Sequence, residues 1–124
     1  MVGKRYLWID SLCINQDDET DWGTESARMY EVFKNAYCTI AATSARNSNE
    51  GFLNGPVIVP DPNSWREKFK ADFQDAVENG VLNSRAWVLQ ERTLSRRILH
   101  FTEKQLFLEC GKGVCWGPFG FLTK

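Results

Sequence analysis

The sequence predicts an α/β domain, with a partly parallel sheet flanked by helices and a β-hairpin at its C-terminal end. Three observations lead there. Short runs of branched and aromatic residues alternate with stretches of helical periodicity, in the order strand, helix, strand, helix, helix, strand, strand. The last two strands are separated only by Thr102-Glu103-Lys104, a turn short enough for antiparallel pairing. A hydrophobic content of 43% in 124 residues is enough to build one core, and the length suits one domain.

The elements follow in order. Arg5-Tyr6-Leu7-Trp8-Ile9 reads as a buried strand. Asp10 to Gly23 is polar and acidic and reads as a long loop. Met29, Val32, Phe33 and Ala36 then recur at helical spacing, with Asp21 or Thr24 as the candidate cap and Glu25 in the positive first turn. Residues 37–42 read as a second buried strand. Residues 43–63 are rich in Ser, Asn, Gly and Pro and suit an insertion or flap, with an apolar patch at Val57-Ile58-Val59. Ser64-Trp65-Arg66-Glu67 has the form of a capping box. Trp65, Phe69, Phe73 and Val77 continue that helix, and Asn79-Gly80 ends it. A further helix begins near Asn83 or Ser84. Residues 97–101 and 105–110 form the hairpin, and the Gly-rich tail 111–124 has no clear assignment.

Composition limits the function classes. The net charge of −1 gives no field for nucleic acid. No apolar run has the length of a membrane helix, and the N-terminus lacks a signal-peptide hydrophobic region, so the expected setting is the cytoplasm. Cys13, Cys38, Cys110 and Cys115 are irregularly spaced, which favours reduced thiols. Cys13 and Cys38 read as small buried apolar side chains. With His100 the one histidine, no zinc-ligand pattern forms, and neither a metal nor a cofactor is expected.

The residue pattern richest in chemistry is Arg85-Ala86-Trp87-Val88-Leu89-Gln90-Glu91-Arg92. Glu91 follows Trp87 by four positions, so a helix puts both side chains on one face. A carboxylate beside an indole in a partly dry cleft can do catalysis, and the same spacing also occurs at an ordinary core edge. Asp10 ends the first strand, where ligands of open α/β sheets bind. It would contact a ligand hydroxyl, hold a divalent ion with Asp17, or bond its own turn together with Asn15. Cys13 as a nucleophile has His100 as its only candidate base, and nothing in the sequence brings the two together.

Several linked segments resemble the fungal heterokaryon incompatibility (HET) domain. Tyr6-Leu7-Trp8-Ile9-Asp10-Ser11-Leu12-Cys13-Ile14-Asn15-Gln16 resembles its first strong motif. Asp21-Trp22, Glu25-Ser26, Met29 and Ala36 resemble the helix that follows. Ile40-Ala41-Ala42-Thr43-Ser44-Ala45 with Gly51-Phe52 resembles the next strand and turn. Residues 85–92, Leu94-Ser95 and Arg97-Ile98-Leu99-His100-Phe101 resemble the last motif, which Gln105-Leu106-Phe107 and Glu109-Cys110 continue. On this resemblance, residues 1–110 are a HET-like domain that lacks the family's upstream strand and helix, and 111–124 is a tail. A missing strand would leave an exposed sheet edge.

The resemblance implies a role in non-self recognition and programmed cell death in filamentous fungi. It also implies a distant similarity to Toll/interleukin receptor (TIR) domains, which have a flavodoxin-like fold. Some TIR domains cleave NAD at the nicotinamide–ribose bond with a glutamate four residues after a tryptophan, the spacing of Trp87 and Glu91. Carried over, Glu91 is the catalytic residue and steadies an oxocarbenium-like transition state. Trp87 walls the pocket or stacks on a ring. Asp10 contacts a ribose. One or two of Arg85, Arg92, Arg96 and Arg97 would hold the diphosphate, with Arg92 and Arg97 the substrate-binding candidates. NAD is then substrate rather than cofactor, and the remaining expected partners are a second copy or a death-signalling protein. The alternatives are a non-catalytic signalling module of the same pathway, or an inactive fragment.

Overall fold

A computed structural model describes residues 3–47, 49–53, 63–116 and 120–123. Two helices come first, α1 (Asp10–Cys13) and α2 (Glu19–Asn35), followed by strand β1 (Thr39–Ala41). Helix α3 (Trp65–Phe73) runs on into a π-helical turn, Gln74–Glu78. A 3₁₀ turn (Val81–Ser84) then leads into α4 (Ala86–Leu94). Four strands close the chain: β2 (Arg97–Phe101), β3 (Leu106–Cys110), β4 (Gly113–Trp116) and β5 (Gly120–Thr123).

The five strands form one sheet in the order β1-β2-β3-β4-β5. β1 pairs parallel with β2, with Thr39 opposite Ile98 and Ala41 opposite His100. The remaining pairs are antiparallel. The sheet is therefore partly parallel, as the sequence predicts, and the expected hairpin is β2–β3. The tail adds two strands to it, β4 and β5. Gly113 has φ 143°, a conformation that a side chain disfavours.

Registry puts Ile98 and His100 of β2, Phe107 and Glu109 of β3, and Val114 of β4 on one face, and all five are buried. Phe69, Val77, Phe107 and Val114 form the core on this face, with Trp65 and Phe73 packed against it. Phe107 is the best buried, with its ring 5.1 Å from Phe69 and 5.3 Å from Phe73. The Trp65–Phe69–Phe73 stripe thus packs where its helical spacing expects. Among the described residues, no helix is long and apolar enough to cross a membrane.

Several local expectations need correction. Residues 5–9 form no strand; they run outside the sheet, with Tyr6 93% and Leu7 72% exposed. Strand-forming side chains need a neighbouring strand to express that preference. Instead Trp8 meets Phe33 of α2 edge-on at 5.8 Å, and Lys4 Nζ sits 3.9 Å from the Tyr37 ring centre. The stretch from Asp10 to Gly23 is largely helical rather than loop. Its cap is Asp18, whose carboxylate accepts from the backbone N–H of Thr20 and Asp21. Asp21 accepts from Asn15 N–H instead, and Thr24 donates to the Thr20 carbonyl. Cys13 is exposed, because α1 turns Ile14 inward in its place. Helix α3 begins right after Ser64 as expected, though Ser64 makes no side-chain cap bond to it. The patch Val57–Val59 lies outside the described residues.

Candidate functional site

Helix α4 and the parallel pair β1–β2 line one cleft, and Ser95-Arg96 joins α4 to β2. Val88, Glu91 and Arg92 share one stripe of α4, at i, i+3 and i+4. Along that stripe runs a cleft of about 180 Å³. β1 and its continuation supply residues 39–43 to its wall, β2 supplies Ile98 and His100, and Leu82 and Asn83 close one side. All four cysteines are free, and among the described residues no cluster of His, Cys, Asp or Glu is arranged to hold a metal ion.

Glu91 is half-buried at this cleft. Burial is the main cause that raises its pKa above the ordinary carboxylate value, and the negative charge of Asp10 adds to it. Asp10 opens α1, and its Oδ1 accepts from Ser11 N–H at 2.7 Å. The segment carrying Asp10 is outside the sheet, yet its carboxylate is close enough to act on Glu91. Of the predicted site residues, Glu91 and Arg92 line the cleft; Asp10 does not, and bears on it through its charge on Glu91.

Trp87 and Arg97 lie elsewhere. Trp87 is 63% exposed and does not line the cleft, because the inward stripe starts one residue later, at Val88. Arg97 stands at the start of β2, with its guanidinium 4.9 Å from the Tyr37 ring and Nη1 donating to the Tyr37 carbonyl. Arg92 lines the cleft, but its guanidinium binds protein carboxylates. Nε donates to Glu109 Oε2 at 2.8 Å, and Nη2 donates to Glu109 Oε1 at 3.1 Å and to Glu78 Oε1 at 2.7 Å.

Arg92 belongs to a buried polar chain that sequence reasoning missed. Glu109 Oε2 also lies 3.0 Å from His100 Nε2, and His100 Nδ1 lies 3.2 Å from Thr43 Oγ1. Thr43, His100 and Glu109 are all buried. A carboxylate only accepts, so His100 Nε2 carries the proton between them. Both imidazole nitrogens are therefore engaged, and Cys13 has no base in His100. A second link fixes the end of α4. Ser95 Oγ donates to the Glu91 carbonyl at 2.7 Å and meets Thr39 Oγ1 at 2.6 Å. One signal in the sequence did point to this chain: period-two alternation in the hairpin puts Glu109 on the same face as Phe107, and a carboxylate there needs a buried cation.

Sequence comparison decides the family at this point, because the model of the heterokaryon incompatibility protein (HET) family matches residues 1–91. The chain belongs to the HET family. The match takes in the first motif, α2, β1 and α4 as far as Glu91, so Asp10, Glu91 and the part of the cleft wall from β1 lie within it, while Arg92, Ile98 and His100 lie beyond it. No curated protein and no solved structure matches the chain.

Proposed function

We propose that this HET domain hydrolyses NAD at the nicotinamide–ribose bond, and through that reaction serves non-self recognition and programmed cell death in a fungal cytoplasm. The observation that carries the reading is Glu91, a carboxylate half-withdrawn from water at the wall of a cleft otherwise lined mostly by apolar side chains and threonines. Nicotinamide is a cationic substituent and leaves neutral, so its departure needs no acid. The bond from C1′ to the pyridine nitrogen breaks with its electron pair going to nicotinamide. The sugar left behind has oxocarbenium character, which an ionised Glu91 stabilises. Water adds at C1′ and releases one proton, giving ADP-ribose. A weakly solvated carboxylate is worth more in this role than one in bulk water. Asp10 is the candidate ribose contact. The cleft is smaller than the ~300–1,000 Å³ of most small-molecule sites, so it suits one ring, with the remainder of the dinucleotide lying outside. Exposed Trp87, four residues before Glu91, is then available to stack on that outer part.

The test is nicotinamide release from NAD by the purified chain and its Glu91→Gln form. Release that Glu91→Gln abolishes supports the reading. No release at high protein concentration overturns the activity, and release that survives Glu91→Gln overturns the assignment.

A second reading, a non-catalytic module that docks on a partner, is favoured by one feature. Tyr6, Leu7 and Leu12 are each more than 70% exposed within a single short segment, and β1 stands at the sheet edge. A stable complex without nicotinamide release would select it.

A further inference from the structure

The chain of polar groups around Arg92 joins α4 to four other segments. Glu109 comes from β3, His100 from β2, Glu78 from the π-helical turn, and Thr43 from the segment after β1. Arg92 is where this chain meets α4. Its neighbour on that helix is Glu91, about 100° around the axis. No rotation of α4 moves one of these side chains without the other.

We propose that Arg92 is a positioning residue, which locks the rotation of α4 against β3 and the π-helical turn and thereby sets Glu91 at the cleft wall. The proposal rests on Glu91 as the working carboxylate. A guanidinium suits the task because its planar fork binds Glu109 through two nitrogens at once, which fixes direction as well as distance. Glu109 is itself held by His100, and His100 by Thr43, so the anchor is rigid. The Ser95–Thr39 contact pins the far end of α4 to β1. With its end and one middle residue fixed, the helix cannot turn Glu91 out into water. Asp10 on α1 is the charged group whose field reaches Glu91, and it is untouched by changes at Arg92.

The experiment uses the full chain with Arg92→Lys, which keeps the charge and loses the fork. It has two readouts. The first needs no substrate: NMR titration of the Glu91 side-chain carboxyl. With the lock loosened, water reaches Glu91 and its pKa falls toward the ordinary glutamate value. The second is nicotinamide release, where kcat falls by at least about tenfold while KM changes by less than about twofold, as expected for a misplaced group. Glu78→Gln breaks only the half-exposed arm of the clamp, and gives a smaller shift in the same directions if Arg92→Lys does not fold. An unchanged Glu91 titration in both variants overturns the proposal. A raised KM with unchanged kcat also overturns it, because Arg92 would then be holding substrate. If the parent chain releases no nicotinamide while the titration still shifts, the positioning role stands and the NAD reading alone fails.

Discussion

Glu109→Gln is the sharpest test of the buried chain. The side chain keeps its size, so no cavity opens, and what changes is the charge and one accepting oxygen. Glu109 is only 5% exposed at its side chain and accepts from Arg92 twice and from His100 once, all within 3.1 Å. Breaking a buried pair by neutralising one partner costs about 3–5 kcal/mol, because the other charge is left uncompensated. Arg92 keeps Glu78, whose side chain is 37% exposed, so the lower end, about 3 kcal/mol, is expected. Against a total stability of about 5–15 kcal/mol this is a large fraction. In urea denaturation, with a slope near 2 kcal/mol per M, it lowers the midpoint by about 1.5 M. The double variant Arg92→Met/Glu109→Leu should recover part of the loss, since a buried ion pair is often replaceable by apolar side chains but not by half of itself. A midpoint within about 0.3 M of the parent for Glu109→Gln would refute the reasoning, since the pair would then be solvated.

Other predictions follow from the same structure. Because the pKa of Glu91 is raised on folding, the native state holds that proton more tightly than the unfolded chain. Its contribution to stability is complete below the ordinary glutamate pKa and is lost as pH rises through the raised one. Glu91→Gln should therefore be neutral or stabilising at neutral pH and flatten that part of the stability–pH curve; a clear loss of melting temperature at neutral pH would contradict this. Phe107→Ala empties the centre of the Phe69–Phe73 cluster and should cost about 3–5 kcal/mol by denaturant melt. Gly80→Ala puts a Cβ against the backbone carbonyl of Ala76, so the chain must shift there, and about 1–3 kcal/mol is expected from the same measurement.

What could be read from the sequence was mostly local. The spacing of Trp65, Phe69 and Phe73 located the helix that builds the core, because each repeat contacts the sheet once per turn. The alternation in 97–101 and 105–110 located the hairpin, because a short turn leaves neighbouring segments little choice but to pair. Residues 5–9 misled because a strand is defined by its partner, and the local composition does not name one. The helix cap was misplaced by a few residues because Asp18, Asp21 and Thr24 are all competent caps, and only backbone geometry chooses among them. At the site, the motif singles out Glu91, and the structure puts that residue at the cleft wall. The ion pair of its neighbour Arg92 is not legible locally, because Glu109 is 17 residues away and arrives only when β3 pairs with β2. The Thr43–His100 contact spans 57 residues and needs the parallel β1–β2 register, which no local pattern encodes.

The central claim is that Glu91 in this cleft breaks the nicotinamide–ribose bond. Its most direct test is a chromatographic time course of the chain with NAD, quantifying nicotinamide and ADP-ribose together. The account predicts that both products appear in equal amounts and that Glu91→Gln abolishes them while the protein stays folded. Intact NAD after prolonged incubation with the parent chain, or equal turnover by Glu91→Gln, would contradict it.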